Sequence, residues 1–271
     1  MPPTLNGATR LFPIIGDPVI YARSPELLTR SFAERGFNGI SIPMQVKDGD
    51  LEGALRGISL IPNIDGLLVT MPHKFTALTY CATLSDTSRL LGSVSVMRRN
   101  PDGSWHGDIT DGLAFIKAQQ DQGAQVSGAR ALLLGAGGAG SAIAIALAAA
   151  GVRELIIHDQ QEGRAAALIE RLAAAGIGQN RIFAGAPDPR GCDMVCNATP
   201  MGMADGDPLP VNTDLLGPEN FVGDVVAGHG ETPLLRAARA KNCHTANGDQ
   251  MVVAVQAMMV DFMLGAWRAV A

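Results

Sequence analysis

The sequence predicts an α/β protein in two parts: an N-terminal α/β part, and a second part built on a doubly wound parallel sheet. Along the 271 residues, short apolar runs alternate with stretches of helical periodicity. A glycine-rich loop, residues 135–140, stands between a continuous apolar run and an alanine-rich helix. Glycine is frequent, with 32 residues, and aromatic residues make up only 4% of the chain. This composition suits an α/β protein with many tight turns.

The first 110 residues are predicted to alternate strands and helices. Pro13 interrupts the first apolar run and would confine that strand to a sheet edge or a strand end. Ser24 as N-cap, followed by Pro25, opens the first helix. The predicted elements are, in order, a strand at Leu11–Ile15, a helix from Ser24 to Gly36, a strand at Gly39–Met44, a helix from Asp50 to Leu60, a strand at Gly66–Thr70, a helix from Pro72, and a hairpin of Val94–Arg98 with Ser104–Gly107.

From about Asp111 the pattern becomes a series of apolar strands separated by helices, which implies a parallel sheet. We predict a second domain at residues 111–244 and a first domain at residues 1–110, completed by a final helix within residues 245–271. The predicted elements are, in order, a helix at Gly112–Gln122, a strand at Ala129–Leu134, a helix at Ser141–Ala150, a strand at Glu154–His158, a helix at Arg164–Ala175, strands at Arg181–Ala184, Met194–Asn197 and Val222–Val226, and a helix at Gln250–Val270.

The charge balance and the cysteines exclude two classes of function. The chain has 21 Lys and Arg against 26 Asp and Glu and shows no basic stripe, so nucleic acid is not an expected partner. The four cysteines form no C-x-x-C pair, and no histidine stands at zinc-site spacing from them. We therefore predict no metal site, and we expect a small-molecule substrate.

The apolar segments are too short for a membrane protein. The longest run, Ala142–Ala150, falls well below the roughly 20 residues that a membrane-spanning helix needs. The N-terminus has no charged segment followed by a long apolar one, as a signal peptide would. We expect a soluble, cytoplasmic protein, either a monomer or a homodimer.

The glycine-rich loop fits the G-x-G-x-x-G pattern of dinucleotide-binding folds. It follows an apolar strand and opens an apolar helix, which is the context that this pattern requires. The first glycine permits a tight turn, the second lets the backbone approach a pyrophosphate, and the third lets helix and strand pack closely. The six candidate cofactor residues of the loop are Gly135, Ala136, Gly137, Gly138, Ala139 and Gly140.

A carboxylate stands where the ribose of the cofactor is expected. Asp159 follows Gly140 by 19 residues, close to the spacing of about 20 for the acidic group that binds a ribose 2′-hydroxyl. Because a carboxylate repels a 2′-phosphate, Asp159 favours NAD over NADP. The nearby Arg164 is a candidate partner for a 2′-phosphate, so NADP remains an alternative.

Two charged residues suggest acid–base chemistry. Lys74 follows a predicted strand and begins a helix. A lysine in a cleft can exchange the proton of an alcohol while hydride moves to a nicotinamide. It needs partial desolvation and an anionic partner. Asp111, where the chain passes from the first domain into the second, is the candidate partner, and we expect the two to meet in an interdomain cleft.

Seven motifs in order resemble those of the shikimate dehydrogenase family over nearly the whole chain. In this sequence they are Gly16-Asp17-Pro18 with Ala22-Arg23-Ser24-Pro25, Leu68-Val69-Thr70-Met71-Pro72-His73-Lys74, Gly92-Ser93-Val94-Ser95-Val96, Gly107-Asp108-Ile109-Thr110-Asp111-Gly112, the glycine loop, Asn197-Ala198-Thr199-Pro200-Met201-Gly202, and Thr232-Pro233-Leu234-Leu235.

The resemblance implies a substrate-binding domain followed by a Rossmann-type NAD(P)-binding domain, and a reversible hydride transfer to a cyclic hydroxy acid. It implies catalytic roles for Lys74 and Asp111. The substrate candidates are Ser24, Arg23, Thr70, Ser95 and Gln250. The further cofactor candidates are Asn197, Thr199, Met201, Val225 and Gly248.

Several polar residues that the family uses for its substrate are replaced here. The replacements are Ala22 for a serine, Leu68 and Ser95 for two asparagines, Ala227 for a tyrosine, and Val255 for a glutamine, with Gln256 one position late. Each lost hydrogen bond is typically worth about 0.5–1.5 kcal/mol, so we predict weak activity on shikimate. Arg23, His73, His229, Gln250 and Gln256 are candidate replacements.

Two other functions remain open from the sequence. The replaced substrate residues favour a catalytically lapsed NAD(P)-binding sensor or interaction module, whereas Lys74 and Asp111 argue against it. A methylene-tetrahydrofolate dehydrogenase would share the topology, but the S-P, T-D-G and T-P-L-L motifs argue against that activity.

Overall fold

The computed structural model describes residues 5–20, 22–204, 206–228 and 230–268, with side chains through residue 265. The chain divides into two compact units. The first consists of residues 1–110 and 256–271, and the second of residues 111–255. Among the described residues, no helix has both the length and the apolar character to cross a membrane.

The first unit contains short strands and helices in alternation, as the sequence predicts. Its elements are β1 (Arg10–Leu11), β2 (Ile14–Gly16), α1 (Ser24–Glu34), β3 (Gly39–Ile40), β4 (Pro43–Gln45), α2 (Leu51–Ser59), β5 (Gly66–Val69), α3 (Lys74–Ala77), β6 (Thr83–Leu84), α4 (Asp86–Leu91), β7 (Val96–Arg99) and β8 (Trp105–Asp108).

Six of these strands form one mixed sheet in the order β4-β2-β5-β7-β8-β6. The strands β4, β2 and β5 are parallel, and β7 runs antiparallel to both β5 and β8. The pairing of β7 with β8 confirms the predicted hairpin. Helix α2 covers one face of the sheet because Leu51, Leu55 and Ile58 share one side of the helix and pack into the core with Leu67 and Met97.

The second unit is a six-stranded sheet in which all strands are parallel, in the order β11-β10-β9-β12-β13-β14. This confirms the predicted doubly wound architecture. The chain order reverses between β9 and β12, which is where such sheets bind ligands at the strand carboxyl ends. Its elements are α5 (Asp111–Asp121), β9 (Arg130–Leu134), α6 (Gly138–Ala149), β10 (Glu154–His158), α7 (Arg164–Ala174), β11 (Ile182–Ala184), β12 (Met194–Asn197), β13 (Phe221–Asp224), α8 (Pro233–Ala240), β14 (His244–Ala246) and α9 (Gly248–Arg268).

The predicted first strand is two strands in the structure. β1 pairs with β3, whereas β2 pairs with β4 and β5 and lies inside the sheet. Pro13 separates them and offers no N–H, but its carbonyl oxygen accepts a hydrogen bond from Leu68 N at 2.8 Å. Of the two expected places for Pro13, a sheet edge or a strand end, the structure shows the second, because the proline stands just before β2.

The division between the units also differs from the predicted one at residue 245. It falls inside α9, between Val255 and Gln256. The physical reason is that β14 is a strand of the second sheet and that α9 begins against the chain just after β13. A Cβ on Gly248 would lie 2.4 Å from the carbonyl carbon of Val226, so only glycine allows this close approach.

The C-terminal part of α9 packs within the first unit. The Sδ atom of Met263 would lie 2.8 Å from a Cβ on Gly66 of β5. Asp261 forms an ion pair with Arg35 at 3.1 Å, and the ring of Phe262 stacks on His106 at 5.7 Å. These contacts attach the helix to the sheet of the first unit.

A buried amide in α5 yields a test of packing in the second unit. The side-chain oxygen and nitrogen of Gln119 are buried and have no hydrogen-bond partner among the described residues. Its Oε1 lies 2.2 Å from where a Cβ on Gly223 would be. We expect Gln119→Met to raise the free energy of unfolding by about 1–2 kcal/mol, because it removes two unsatisfied polar atoms and keeps the shape. Urea denaturation measures this change.

The control is Gln120→Met at an exposed position of the same helix, which should change the free energy of unfolding by less than about 0.5 kcal/mol. A loss of stability in Gln119→Met would mean that the buried amide has partners and contradict this account.

Candidate active site

The glycine loop joins β9 to α6 through two close backbone contacts. Gly135 has a φ of +100°, a conformation that residues with a Cβ rarely adopt. A Cβ on Gly140 would lie 2.0 Å from the carbonyl oxygen of Gly135. The first and third glycines of the pattern are therefore required by the turn and by helix packing.

The second part of the loop is open where a ligand would approach. A Cβ on Gly137 or Gly138 would meet no atom of the described residues within 4 Å. The first turn of α6 carries no acidic side chain, and the first N–H groups of a helix, together with its dipole, attract anions. This geometry fits a dinucleotide pyrophosphate.

Asp159 is bound to the glycine loop itself. Its carboxylate accepts hydrogen bonds from Ala136 N at 2.7 Å and from Gln161 N at 2.8 Å. Its side chain is only 8% exposed, and a guanidinium nitrogen of the half-exposed Arg164 lies 3.7 Å away. The carboxylate thus holds the loop, and Arg164 is the cation next to it.

A second turn, residues 198–202, packs against the glycine loop from β12. A Cβ on Gly135 would lie 3.0 Å from the carbonyl carbon of Ala198. Asn197 is fully buried, and its side-chain oxygen accepts hydrogen bonds from the N–H and the hydroxyl of Thr199 at 3.1 and 2.6 Å. The structure thus brings Asn197, Thr199 and Met201 to the same sheet edge as the glycine loop.

Val225 and Gly248 lie at the neighbouring strand ends. Val225 N donates to Asn197 O at 3.1 Å, and the carbonyl oxygen of Val225 lies 2.5 Å from a Cβ position on Gly248. The close approach explains why position 248 holds glycine, and it leaves both residues as candidates for the cofactor.

Lys74 is the first residue of α3 and is half-buried. Its carbonyl oxygen accepts a hydrogen bond from Val94 N at 2.9 Å. The preceding His73 is fully buried, with Nε2 at 2.7 Å from Val46 O. The His73 side chain therefore connects the start of α3 to the chain after β4, and it is buried in the first unit.

Ser24 and Gln256 form a hydrogen bond that the sequence did not predict. Ser24 is the first residue of α1, while Arg23 takes the N-cap position without a side-chain capping bond. The Ser24 hydroxyl instead accepts a hydrogen bond from Gln256 Nε2 at 2.9 Å. Gln256 Oε1 is buried without a hydrogen-bond partner among the described residues, so this pair offers an unused acceptor.

Gln250, a predicted substrate residue, forms side-chain hydrogen bonds at the start of its own helix. Its side-chain oxygen accepts a hydrogen bond from Asn247 N at 2.8 Å, and its own N donates to the Asn247 side chain at 2.9 Å. These reciprocal bonds cap α9. The family spacing put the glutamine at Val255, one residue before Gln256, and the only sequence signal for Gln256 was that near miss.

The remaining substrate candidates differ in their availability. Ser95 is buried, and its hydroxyl oxygen accepts a hydrogen bond from Thr110 N at 3.2 Å. Thr70 is half-buried next to Gly16, whose Cβ would lie 2.3 Å from a methyl carbon of Thr70. Arg23 is exposed at the start of α1. Thr70 and Arg23 are therefore better placed than Ser95 to meet a ligand.

Lys74 belongs to the first unit, whereas Asp111 is the half-buried first residue of the second unit. The replaced positions Leu68 and Ala227 bring no polar group, and Leu68 is buried within β5. His229 lies outside the described residues.

Comparisons with known proteins identify the family of this chain. A family model for the shikimate dehydrogenase substrate binding domain matches residues 14–97. Shikimate dehydrogenase (NADP(+)) of Rubrobacter xylanophilus is 38% identical over 255 residues, which cover 93% of this chain and 89% of that protein.

Two solved structures show the same fold. Shikimate 5-dehydrogenase from Listeria monocytogenes, in complex with shikimate and NAD, has a TM-score of 0.87 and 28% identity, covering 96% of this chain and 93% of that one. The 5-ketofructose reductase of Gluconobacter sp. strain CHM43 has a TM-score of 0.87 and 26% identity, covering 95% and 93%. The resemblance predicted from the motifs is confirmed.

The glycine loop offers a pair of matched substitutions. We expect Gly140→Ala to lower the free energy of unfolding by about 1–3 kcal/mol, because its Cβ would overlap the carbonyl oxygen of Gly135. Gly138→Ala, in open space, should cause no loss, since alanine favours the helix by up to about 1 kcal/mol. Thermal and urea denaturation of both variants measure the difference. Equal effects of the two substitutions would contradict the close contact.

Proposed function

The chain belongs to the shikimate dehydrogenase family, and we propose that it moves hydride reversibly between NAD(P) and a cyclic hydroxy acid of the shikimate or quinate type. It is an NAD(P)-dependent oxidoreductase that acts on a CH–OH group. The observation that carries the proposal is the glycine loop at the reversal of strand order, which is open at Gly137 and Gly138 and continues into the first turn of α6.

The proposed proton path begins at Lys74. In the oxidative direction, the neutral amine accepts the proton of the substrate hydroxyl while the carbonyl bond forms. The hydrogen on the same carbon would leave as hydride, and a bound NAD(P) would supply the nicotinamide that takes it. In reduction, the ammonium returns the proton to the carbonyl oxygen. Lys74 suits this role because it is a half-buried amine at the start of α3 and an amine can exchange a proton with a substrate hydroxyl.

Asp111 is the proposed partner of Lys74. A carboxylate attracts the ammonium form, orients its N–H groups and accepts a hydrogen bond from a neighbouring substrate hydroxyl. The protein thereby supplies orientation and a proton route, and the cofactor supplies the redox chemistry.

The proposed substrate contacts come from the first unit. Ser24, Thr70 and Gln256 offer hydroxyl and amide groups, and Arg23 offers a guanidinium that can pair with a carboxylate. The side-chain oxygen of Gln250 is not proposed as a substrate contact, because it caps α9. A substrate contact through the amide nitrogen of Gln250 stays a prediction. Ser95 is proposed to act indirectly, because its hydroxyl oxygen holds the backbone N–H of Thr110.

Activity on shikimate is proposed to be weak. Leu68 and Ala227 supply no hydrogen bonds where the family has asparagine and tyrosine. These losses support a substrate with a different set of hydroxyl groups. They also favour a second candidate function, in which the chain binds NAD(P) without turnover and acts as a sensor.

The preferred cofactor is proposed to be NAD. The carboxylate of Asp159 is buried against the loop and repels a 2′-phosphate, while Arg164 attracts one. The relative from Rubrobacter xylanophilus is named for NADP(+), and the Listeria monocytogenes enzyme was solved with NAD, so the family accommodates both.

Turnover on a panel of cyclic hydroxy acids separates the enzyme from the sensor. We expect reduced cofactor to appear with at least one acid of the panel, which includes shikimate and quinate. Lys74→Ala should lower turnover by about 10²- to 10⁴-fold because it removes the general base. Absorbance of the reduced nicotinamide measures both rates. Lys241→Ala, at an exposed lysine, is the control and should leave turnover unchanged. Dinucleotide binding without turnover on the whole panel would support the sensor.

Cofactor choice is tested at Asp159 and Arg164. Asp159→Asn keeps an oxygen for Ala136 N but removes the charge, so the ratio of kcat/KM for NADP to that for NAD should rise about 10-fold. Arg164→Gln should lower the same ratio. Steady-state kinetics with both cofactors measure it, and an unchanged ratio in both variants would show that neither residue selects the cofactor.

A further inference from the structure

A fully buried carboxylate lies at the end of β13. Asp224 is 0% exposed, and it accepts three hydrogen bonds. Asn197 Nδ2 at 2.9 Å and Val226 N at 3.1 Å donate to Oδ1, and the Thr232 hydroxyl at 2.7 Å donates to Oδ2. Burial raises the pKa of Asp224, and these three bonds act against that shift. The proposed chemistry makes no use of this group, although burying it is unfavourable.

The carboxylate determines which way the Asn197 amide faces. Because an ionised carboxylate only accepts hydrogen bonds, the NH₂ group must point at Asp224 and the carbonyl oxygen must point away. That oxygen then accepts from the N–H and the hydroxyl of Thr199, whose hydroxyl oxygen accepts from Met201 N at 3.2 Å. The Asn197 side chain therefore joins the 198–202 turn to the buried carboxylate.

This turn is held between two other parts of the second unit. On one side, Cβ positions on Gly135 and Gly140 lie 3.1 Å from a Thr199 methyl carbon and 3.5 Å from Ala198 Cβ. On the other side, a Cβ on Gly202 would lie 3.5 Å from Thr232 Cβ. A change at Asp224 thus reaches the glycine loop through one turn, without leaving the second unit.

We propose that Asp224 is a positioning residue for dinucleotide binding. It holds the 198–202 turn against the glycine loop, and this arrangement favours the bound dinucleotide. It acts through Asn197 and Thr232 and does not touch the ligand. The proposal rests on the proposed use of NAD(P). It predicts that loss of the carboxylate weakens dinucleotide binding, while the KM for the hydroxy acid at saturating dinucleotide stays nearly constant.

Direct binding to purified protein tests the proposal without relying on turnover. Calorimetric titration with NAD and with NADP should give a Kd at least about 10-fold higher for Asp224→Val than for the unmodified chain, because three donors lose their acceptor. Asp224→Asn should stay within about 3-fold, since its carbonyl oxygen accepts from Asn197 and Val226 and its NH₂ can donate to the Thr232 hydroxyl. Thr232→Val, which removes one donor, should fall between the two.

A destabilised control separates positioning from general loss of stability. Leu168→Ala removes a buried side chain from α7, away from the network, and should lower the Tm while leaving the Kd unchanged. If Asp224→Val does not fold, Thr232→Val and Asp224→Asn decide the question against this control.

The proposal is overturned if the folded Asp224 and Thr232 variants all bind dinucleotide as tightly as the unmodified chain, or if Leu168→Ala weakens binding as much as they do at the same loss of Tm. Failure of the unmodified chain to bind either dinucleotide would instead remove the proposed function.

Discussion

The close approach of backbone segments at the carboxyl edge of the second sheet is the constraint on which the cofactor half of the molecule depends. The glycine loop has no room for a side chain at Gly135 or Gly140, since Ala198 and the loop's own carbonyl oxygen occupy that space. The same tightness leaves Gly137 and Gly138 open toward a ligand. Packing therefore explains Gly135 and Gly140, whereas Gly137 and Gly138 leave space for the proposed dinucleotide contact.

Most of the second unit could be predicted from the sequence because its signals are local. Continuous apolar strands, helices of regular period and a glycine loop between them specify a parallel sheet. The spacing of Asp159 from the glycine loop identified it as a candidate cofactor residue. Its hydrogen bond from Ala136 N joins two separate strand ends, and spacing alone does not reveal such a contact. The network around Asp224 was missed for the same reason, since its partners are Asn197, Val226 and Thr232.

The first unit was harder to predict because its strands are short and its site depends on distant segments. Strands of two residues, such as β1, β3 and β6, are too short to show an alternation of apolar and polar residues. Ser24 has the sequence signature of a helix cap, yet its hydroxyl meets Gln256, 232 residues along the chain. A one-residue shift in α9 turns the helix by about 100°, so alignment on the family spacing selected Val255 on a different face.

The two units contribute separate parts of the proposed chemistry: Lys74 and the polar pair of Ser24 and Gln256 in the first, and the dinucleotide loops in the second. The central claim is that a hydrogen leaves the hydroxyl-bearing carbon of a cyclic acid as hydride. The most direct measurement uses quinate and shikimate deuterated at their hydroxyl-bearing carbons, with mass spectrometry of the nicotinamide product. The account predicts one deuterium in the reduced ring, from a single hydroxyl-bearing position of each acid that is turned over. Reduced dinucleotide that carries no deuterium from any labelled position would contradict it.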